Sequence, residues 1–238
     1  DLGISVDPDV DRLALICENG QPFGEEYTLV SVADYLLSRV YDEALNTGKS
    51  MEEIAAPYAM ATSSNLSSSR ALRDVTEQYG GEYTAAAVGE VNVTTRMREV
   101  GAIIGGEGNG GVIYPALHYG RDAMVGVALF LTNLAYKKMK VSELRATYPE
   151  YVIAKNKIEL SDKALIDKIL DEIKQVYAAE DVNTIDGVKI SFEARKEWVH
   201  LRRSNTEPII RIYAESSTKE AADALAQQII DIANKIIG

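Results

Sequence analysis

Short apolar runs and segments of helical periodicity alternate along the first 145 residues. Apolar runs at residues 4–6 and 13–17 flank an acidic loop, and this pattern predicts a strand, a loop and a second strand. Further strands are predicted at residues 83–88, 103–104 and 112–114. Apolar residues recur at helical spacing over residues 29–44, 72–79, 93–100 and 122–139. This alternation of strands and helices predicts a mixed or parallel α/β layer.

The pattern changes near Tyr148-Pro149, so we place a domain boundary close to residue 145. Beyond it, Asp186-Gly187 lies between two short apolar runs and predicts a β-hairpin. The other predicted elements are strands at residues 151–160, 198–201 and 209–213 and helices at residues 165–176 and 222–236. This arrangement predicts a small antiparallel sheet with two helices on one face.

Three helix starts carry residues that commonly cap helices. Residues 63–65 and 67–69 are rich in serine and precede the helix at 72–79, which we expect them to cap. Ser161 or Asp162 is expected to cap the next-to-last helix. Ser217 and Glu220 have the spacing of a capping box for the last helix.

Composition and charge narrow the classes of function. The chain has 238 residues, 46% of them apolar, and a net charge of −11. That charge argues against binding nucleic acid through the bulk electrostatic field, so an anionic substrate would need a local basic site or a bound cation. No apolar run approaches the roughly 20 residues that cross a bilayer, and no signal-peptide pattern is present. We therefore expect no nucleic acid or membrane partner and a cytoplasmic setting, which the single cysteine, Cys17, fits.

The acidic loop Asp7-Pro8-Asp9-Val10-Asp11-Arg12 is the first candidate site. Carboxylates at alternate positions of a tight loop can converge on one hard cation, and an arginine beside them can attract a phosphate. A solvated acidic turn is the alternative interpretation. An EF-hand is excluded, because Arg12 stands at the sixth loop position, where glycine is needed, and the flanking segments are predicted strands.

The glycine-rich segment at residues 105–111 is the second candidate. It matches neither the Walker pattern nor GxGxxG. Glu107 and Asn109 stand between glycines, and their side chains suit hydrogen bonding to neighbouring sugar hydroxyls while the glycines let the backbone come close. A plain turn between two strands is the alternative.

The third candidate is Arg202-Arg203-Ser204-Asn205-Thr206-Glu207-Pro208. It offers guanidinium, hydroxyl and amide donors in one short loop, which suits a phosphate. In an acidic chain it is the best candidate for a local basic site. Serine, asparagine, threonine and proline also form ordinary turns, so that alternative stays open.

The three loops together, in this order and spacing, resemble those of the α-D-phosphohexomutase family, which includes phosphoglucomutase, phosphomannomutase and phosphoglucosamine mutase. Residues 7–12 are similar to the DGDxDR metal loop of the family, with Pro8 in place of glycine. Residues 107–111 are similar to the GExSG sugar loop, with Asn109 in place of serine. Residues 202–206 are similar to the RxSNT phosphate loop. The resemblance extends over essentially the whole chain.

The resemblance implies an intramolecular phosphoryl transfer between the 1- and 6-positions of a hexose or hexosamine phosphate. Mg²⁺ would bind Asp7, Asp9 and Asp11, and Arg12 would add electrostatic stabilisation. The sugar would contact Glu107, Gly108, Asn109, Gly110 and Gly111. The non-reacting phosphate would contact Arg202, Ser204, Asn205 and Thr206. Glu90 follows a glycine at a place where phosphomannomutases carry histidine and phosphoglucosamine mutases carry aspartate, which favours the latter.

The resemblance also implies a domain plan in the α/β class. Residues 1–19 would end the second mutase domain, residues 20–145 would form the mixed α/β third domain, and residues 146–238 would form the small α+β C-terminal domain. The catalytic serine of the family lies in a TASHNP-like motif that this sequence lacks. Since the chain also begins with Asp1 inside a predicted strand, we expect an inactive fragment of a mutase that is missing its N-terminal domains.

Two other classes of function are weighed against the mutase. A non-catalytic module could use the same loops only to bind a sugar phosphate. A Mg²⁺-dependent phosphotransferase or phosphatase with an aspartate nucleophile would need a DxDx[TV] loop, and Arg12 after the third aspartate argues against it.

Overall fold

The computed structural model describes residues 1–160, 164–204 and 208–237 and divides the chain into two compact units, Asp1–Pro149 and Glu150–Gly238. The boundary lies close to the predicted one at residue 145. The first unit is mixed α/β and the second is antiparallel α+β, as predicted. Among the helices of these described ranges, none is both long and apolar enough to cross a membrane.

The first unit combines a β-hairpin with a four-stranded sheet. Strands β1 (Gly3–Val6) and β2 (Leu13–Ile16) form the antiparallel hairpin. The larger sheet has the order β4-β3-β5-β6, in which β4, β3 and β5 run parallel and β6 pairs antiparallel to β5. Its strands are β3 (Ala59–Asn65), β4 (Glu82–Ala86), β5 (Ala102–Glu107) and β6 (Gly111–Ile113).

Six helices complete the first unit. They are α1 (Glu25–Thr47), α2 (Met51–Ala55), α3 (Ala71–Gln78), α4 (Glu90–Val100), α5 (Ala123–Lys137) and α6 (Val141–Ala146). The long helices α1 and α5 pack against each other, and Phe23 meets Phe130 edge to face with ring centroids 5.0 Å apart. The four helices predicted from apolar spacing correspond to α1, α3, α4 and α5.

The expectation that residues 63–65 cap a helix is wrong. Ser63, Ser64 and Asn65 lie inside β3, the central parallel strand, and all three are buried. The residue at the start of α3 is Arg70, which makes no capping side-chain hydrogen bond, while Ser69 Oγ, one residue earlier, accepts a hydrogen bond of 3.1 Å from the amide of Ala71. Strand β3 is not predicted from the sequence, because polar and apolar side chains do not alternate along it.

The second unit is a five-stranded antiparallel sheet with the order β7-β11-β10-β9-β8. Its elements are β7 (Val152–Glu159), α7 (Ala164–Val176), β8 (Asp181–Asn183), β9 (Val188–Phe192), β10 (Glu197–Arg203), β11 (Ile209–Ser216) and α8 (Lys219–Ile237). Buried side chains of α7 and α8 form one core with the sheet. The Asp186-Gly187 turn joins β8 to β9, and Gly187 has the positive φ of 77° that such a turn requires.

The capping box predicted for the last helix is wrong. The residue directly before α8 is Thr218, and its Oγ1 accepts a hydrogen bond of 3.2 Å from the amide of Ala221. The helix therefore starts one residue later than the Ser217–Glu220 spacing implies. The predicted cap at Ser161 or Asp162 lies outside the described residues.

Candidate functional site

The acidic loop between β1 and β2 brings three carboxylates together. One carboxylate oxygen from each of Asp7, Asp9 and Asp11 lies within 4.8 Å of the other two. Asp7 shapes the loop, because its Oδ1 accepts hydrogen bonds from the backbone amides of Asp11 at 3.1 Å and Arg12 at 3.0 Å. The guanidinium of Arg12 donates from Nε to Asp7 Oδ2 at 2.6 Å. The loop is thus closed on itself, with its carboxylates on one side.

Asp7 and Asp11 differ in their electrostatic surroundings. The hydrogen bond from the Arg12 amide, together with the Arg12 side chain, lowers the pKa of Asp7 well below its usual range. Burial, reinforced by the neighbouring carboxylates, raises the pKa of Asp11, and the charge of Arg121 only partly offsets this. Oδ1 of Asp11 is buried and accepts no hydrogen bond, although Arg12 Nε lies 3.5 Å away. A buried carboxylate oxygen of this kind, beside two other carboxylates, is suited to a hard divalent cation.

Residues 108–110 of the glycine-rich segment form the turn between β5 and β6, and this turn lies directly against β2. The amide of Leu13 donates a hydrogen bond of 3.1 Å to the Gly110 carbonyl. A Cβ at Gly110 would lie only 2.3 Å from the Leu13 carbonyl oxygen, and a Cβ at Gly108 would lie 1.9 Å from a carboxylate oxygen of Glu26. Gly110 therefore requires glycine, because its φ is +86° and its neighbour is backbone, whereas a side chain at Gly108 would displace the Glu26 carboxylate. The Leu13–Gly110 hydrogen bond brings the turn beside the acidic loop.

Glu107, at the end of β5, is held inside the first unit. Its Oε1 accepts hydrogen bonds from Asn65 Nδ2 at 2.9 Å and from the Gly89 amide at 3.3 Å. Its Oε2 accepts one from Arg121 Nη1 at 2.9 Å. Asn109 folds back within the turn, where its Oδ1 accepts from the Gly111 amide at 3.2 Å. Both predicted sugar-contacting side chains are therefore fixed by internal hydrogen bonds, with lone pairs left over for a ligand.

Arg121 is a member of the site that the sequence analysis missed. Its guanidinium contacts three carboxylates: Asp11 through Nη2, Glu107 through Nη1 at 2.9 Å, and Glu90 through Nε at 3.1 Å. These carboxylates belong to three different parts of the first unit, namely the acidic loop, the end of β5 and the start of α4. Arg121 directly precedes Asp122, which caps α5. This position next to a helix cap is the local sequence feature that could have suggested that Arg121 is held in place.

The third predicted loop belongs to the second unit. Arg202 and Arg203 end β10, and the amide of Ser204 donates to the Ile209 carbonyl at 3.0 Å. Nε of Arg202 is buried and has no hydrogen-bond partner, whereas the exposed guanidinium of Arg203 pairs with Asp167 on α7. An unused, buried guanidinium donor suits an anionic ligand. Asn205 and Thr206 lie outside the described residues.

The structure therefore brings two of the three predicted loops together within one unit. Asp7, Asp9, Asp11 and Arg12 adjoin residues 107–111, and Arg121 contacts both groups. Burial acts to raise the pKa of Asp122, but hydrogen bonds from two amides of α5 and from His118 together outweigh it, so the pKa of Asp122 is lowered.

Known proteins resemble this chain along its whole length. The probable phosphoglucosamine mutase of Methanopyrus kandleri is 31% identical over 238 residues, which are 100% of this chain and 48% of that relative. A crystal structure of a phosphoglucomutase/phosphomannomutase family protein from Burkholderia thailandensis superimposes with a TM-score of 0.75 at 25% identity, covering 99% of this chain and 46% of that one. The chain thus spans about half the length of the relatives it matches.

More distant structures share the fold. The N-acetylphosphoglucosamine mutase of Aspergillus fumigatus, solved in complex with GlcNAc-6P and magnesium, has a TM-score of 0.69 at 16% identity, over 98% of this chain and 52% of that one.

Two family models cover most of the chain. Residues 27–151 match "Phosphoglucomutase/phosphomannomutase, alpha/beta/alpha domain III", and residues 156–232 match "Phosphoglucomutase/phosphomannomutase, C-terminal domain". These two segments correspond to the mixed α/β unit and the antiparallel unit of the structure. The order of the domains, the fold of each and the sequence similarity agree, and the chain belongs to the phosphoglucomutase/phosphomannomutase family.

Proposed function

We propose that this chain supplies the metal, sugar and phosphate loops of a Mg²⁺-dependent phosphohexomutase that acts on a hexosamine phosphate. The observation that carries the proposal is the convergence of Asp7, Asp9 and Asp11, with oxygens within 4.8 Å of one another, beside the Glu107 turn. Membership of the family supports the reaction type. The acidic Glu90 and the name of the Methanopyrus kandleri relative favour a hexosamine.

The residues of the acidic loop fit a bound Mg²⁺. Three carboxylates would hold the ion. Oδ1 of Asp11 accepts no hydrogen bond, so it could bind the ion without any hydrogen bond being broken. Within the described ranges, these three carboxylates together with Glu90 and Glu107 form ion pairs with two guanidinium groups, those of Arg12 and Arg121, so negative charge is left over. When bound, the ion would supply stabilisation of charge on a transferring phosphoryl group.

Arg12 has a place in the same chemistry. Its side chain is 50% exposed while its Nε is anchored on Asp7 at 2.6 Å. An anchored guanidinium next to the metal loop can stabilise a phosphoryl group electrostatically without reorganising during the reaction. We therefore propose Arg12 as the catalytic residue that this chain contributes.

The remaining loops would bind the substrate. Glu107 and Asn109 would orient sugar hydroxyls, and the backbone of Gly108, Gly110 and Gly111 would contact the sugar. Arg202, Ser204, Asn205 and Thr206 would hold the phosphate that is not being transferred. Binding energy from that remote phosphate would align the reacting one.

The test is an assay of glucosamine 6-phosphate and glucosamine 1-phosphate interconversion, with glucose and mannose phosphates alongside. It compares the 238-residue chain with an extended protein, in which a segment carrying the serine motif of the family precedes it. We expect turnover by the extended protein with Mg²⁺ and a bisphosphate activator, and none by the chain alone. If the extended protein converts no hexose phosphate, the mutase is contradicted and a binding module takes its place.

The phosphate loop has a test with a matched control. In the extended protein, Arg202→Ala should raise KM for the sugar phosphate about 10-fold, because a buried, unpaired donor is lost. Arg203→Ala removes the neighbouring arginine, which is 56% exposed and pairs with Asp167, and should change KM less than 2-fold. An unchanged KM in Arg202→Ala would contradict the assignment of this loop.

A further inference from the structure

We propose that Arg121 is a positioning residue that links the metal loop to the sugar loop; this inference rests on the proposed function. Its three guanidinium nitrogens each take a different carboxylate: Asp11, Glu107 and Glu90. The first belongs to the proposed cation site and the second to the proposed sugar site. The Arg121 side chain therefore positions one residue of the proposed cation site and one residue of the proposed sugar site. Its third ion pair, with Glu90, holds the guanidinium in place.

The shape of the guanidinium is essential to this arrangement. Nη1, Nη2 and Nε point in fixed, different directions within one plane, so the three carboxylates are held in one relative geometry. A lysine carries the same charge on a single nitrogen and cannot reproduce three separate directions. Replacing Arg121 by lysine therefore removes the geometry and keeps the charge.

Arg121 contacts one oxygen of Asp11 and one oxygen of Glu107, and the second oxygen differs between these two carboxylates. It contacts Oδ2 of Asp11, and Oδ1 stays without a hydrogen-bond partner beside Asp7 and Asp9. It contacts Oε2 of Glu107, while Asn65 and Gly89 hold Oε1. The orientation of the metal ligand and that of the sugar ligand thus depend on the same guanidinium.

The glycine turn is shaped around the Arg121 stem. A Cβ built on Gly111 would lie 2.5 Å from Arg121 Cδ, and Gly111 does not have a positive φ, so alanine suits its backbone. The substitution Gly111→Ala should therefore push the arginine side chain aside. It disturbs Arg121 without removing any charge. Because the new Cβ would also lie 3.1 Å from Asn109 Oδ1 in the sugar loop, the Mn²⁺ dissociation constant is the measurement of this variant that tests Arg121.

The decisive experiment compares Arg121→Lys with the unmodified extended protein in two measurements. The first is the dissociation constant of Mn²⁺, followed by electron paramagnetic resonance, and the second is KM for glucosamine 6-phosphate. We expect both to rise about 10-fold, as removal of a group that orients metal ligands commonly does. We also expect the same far-UV circular dichroism spectrum.

The control is Arg73→Lys, which makes the same exchange in an exposed ion pair with Glu77 on α3 and should change neither constant. Gly111→Ala should raise both constants in the same direction as Arg121→Lys, and it carries the test if the lysine variant does not fold. Wild-type values of both constants in Arg121→Lys, or a rise in only one of them, would overturn the proposal. If the unmodified extended protein converts no sugar phosphate, the proposed function fails, and the Mn²⁺ constant alone then decides whether Arg121 orients Asp11.

Discussion

The first unit contains two clusters built around a mostly buried carboxylate, that of Asp34 and that of Asp11. Comparing their hydrogen bonds shows which cluster stabilises the fold and which is suited to bind a ligand. Asp34, on α1, accepts hydrogen bonds from the hydroxyls of Tyr79 at 2.7 Å and Tyr148 at 3.0 Å, and Lys137 Nζ lies 3.4 Å away. Burial raises the pKa of both phenols, so they remain hydrogen-bond donors at neutral pH. The Asp34 cluster joins α1 to α3, to α5 and to the segment after α6.

The Asp11 cluster is the opposite case. Asp11 has an ion pair with Arg121 on one oxygen, but its other oxygen is buried with no hydrogen-bond partner, and two further carboxylates lie close by. Burial raises the pKa of Asp11, so its charge opposes folding at neutral pH. A cluster in which both carboxylate oxygens accept hydrogen bonds stabilises the fold. A cluster in which one buried oxygen accepts none is suited to bind a ligand.

The largest expected effect is on activity, from Asp11→Asn in the extended protein. We expect kcat/KM to fall about 1,000-fold, which corresponds to about 4 kcal/mol, because a proposed ligand of the cation is weakened. The free energy of unfolding should change by less than about 1 kcal/mol, because Arg121 keeps Glu90 and Glu107 as partners. Steady-state kinetics and urea denaturation measure the two quantities. A stability loss as large as the activity loss would show that Asp11 is structural.

The converse change is Asp34→Ala, which breaks the satisfied cluster. We expect the free energy of unfolding to fall by about 3 kcal/mol, since the phenol donors of half-buried Tyr79 and buried Tyr148, together with Lys137, lose their acceptor. Urea denaturation followed by circular dichroism measures it. Glu43→Ala, at an exposed position of the same helix, is the control and should stay within about 0.5 kcal/mol. Equal losses in the two variants would remove the distinction between the clusters.

A buried histidine extends the comparison to the second unit. His200, on β10, donates from Nε2 to the Asp186 carbonyl at 2.6 Å, and burial lowers its pKa to about 4. In the unfolded chain the imidazole of His200 becomes protonated below about pH 6.5, whereas in the folded chain it stays neutral down to about pH 4. The neutral, buried imidazole is therefore fully compatible with folding above pH 6.5, and the free energy of unfolding decreases as the pH falls below that value. Between pH 7 and pH 5 we expect a loss of about 2 kcal/mol.

That loss is measured as the difference between the wild type and His200→Gln, with urea denaturation followed by the fluorescence of Trp198, the single tryptophan. The glutamine keeps an N–H donor but cannot be protonated, so the difference isolates the imidazole. A difference between the two proteins that stays constant from pH 7 to pH 5 would contradict the account.

The smallest effect is expected from Tyr148→Phe, which removes one of the two phenol donors of the Asp34 cluster. We expect the free energy of unfolding to fall by about 1 kcal/mol, the usual worth of one buried hydrogen bond. Tyr41→Phe, whose ring is 38% exposed on α1, should be neutral and serves as the control. No loss in Tyr148→Phe would mean that Tyr79 alone satisfies Asp34.

The parts of the fold that follow apolar periodicity could be predicted from the sequence. Helices α1 and α5 and the hairpin at Asp186-Gly187 are each marked by local spacing or by turn residues. Strand β3 could not be predicted, because two of its buried hydroxyls pair with side chains of other elements. Thr62 bonds to Thr76 at 2.7 Å, and Ser64 bonds to Tyr83 at 2.9 Å.

The candidate site divides in the same way. Asp7, Asp9 and Asp11 are neighbours in sequence, so their convergence is visible in a loop of six residues. Arg121 is separated from Asp11 by most of the first unit, and its position follows only once α5 has been placed against the sheet and the acidic loop. The internal hydrogen bonds of Glu107 to Asn65 and Gly89 depend on the same packing.

The central claim is that the Asp11 cluster binds a divalent cation and the Asp34 cluster does not. A Mn²⁺ titration of the chain, followed by electron paramagnetic resonance, tests it most directly in the wild type, Asp11→Asn and Asp34→Asn. We predict one bound ion in the wild type, an affinity at least about 10-fold weaker in Asp11→Asn, and an unchanged affinity in folded Asp34→Asn. Wild-type affinity in Asp11→Asn, or an equal loss in Asp34→Asn, would contradict the account.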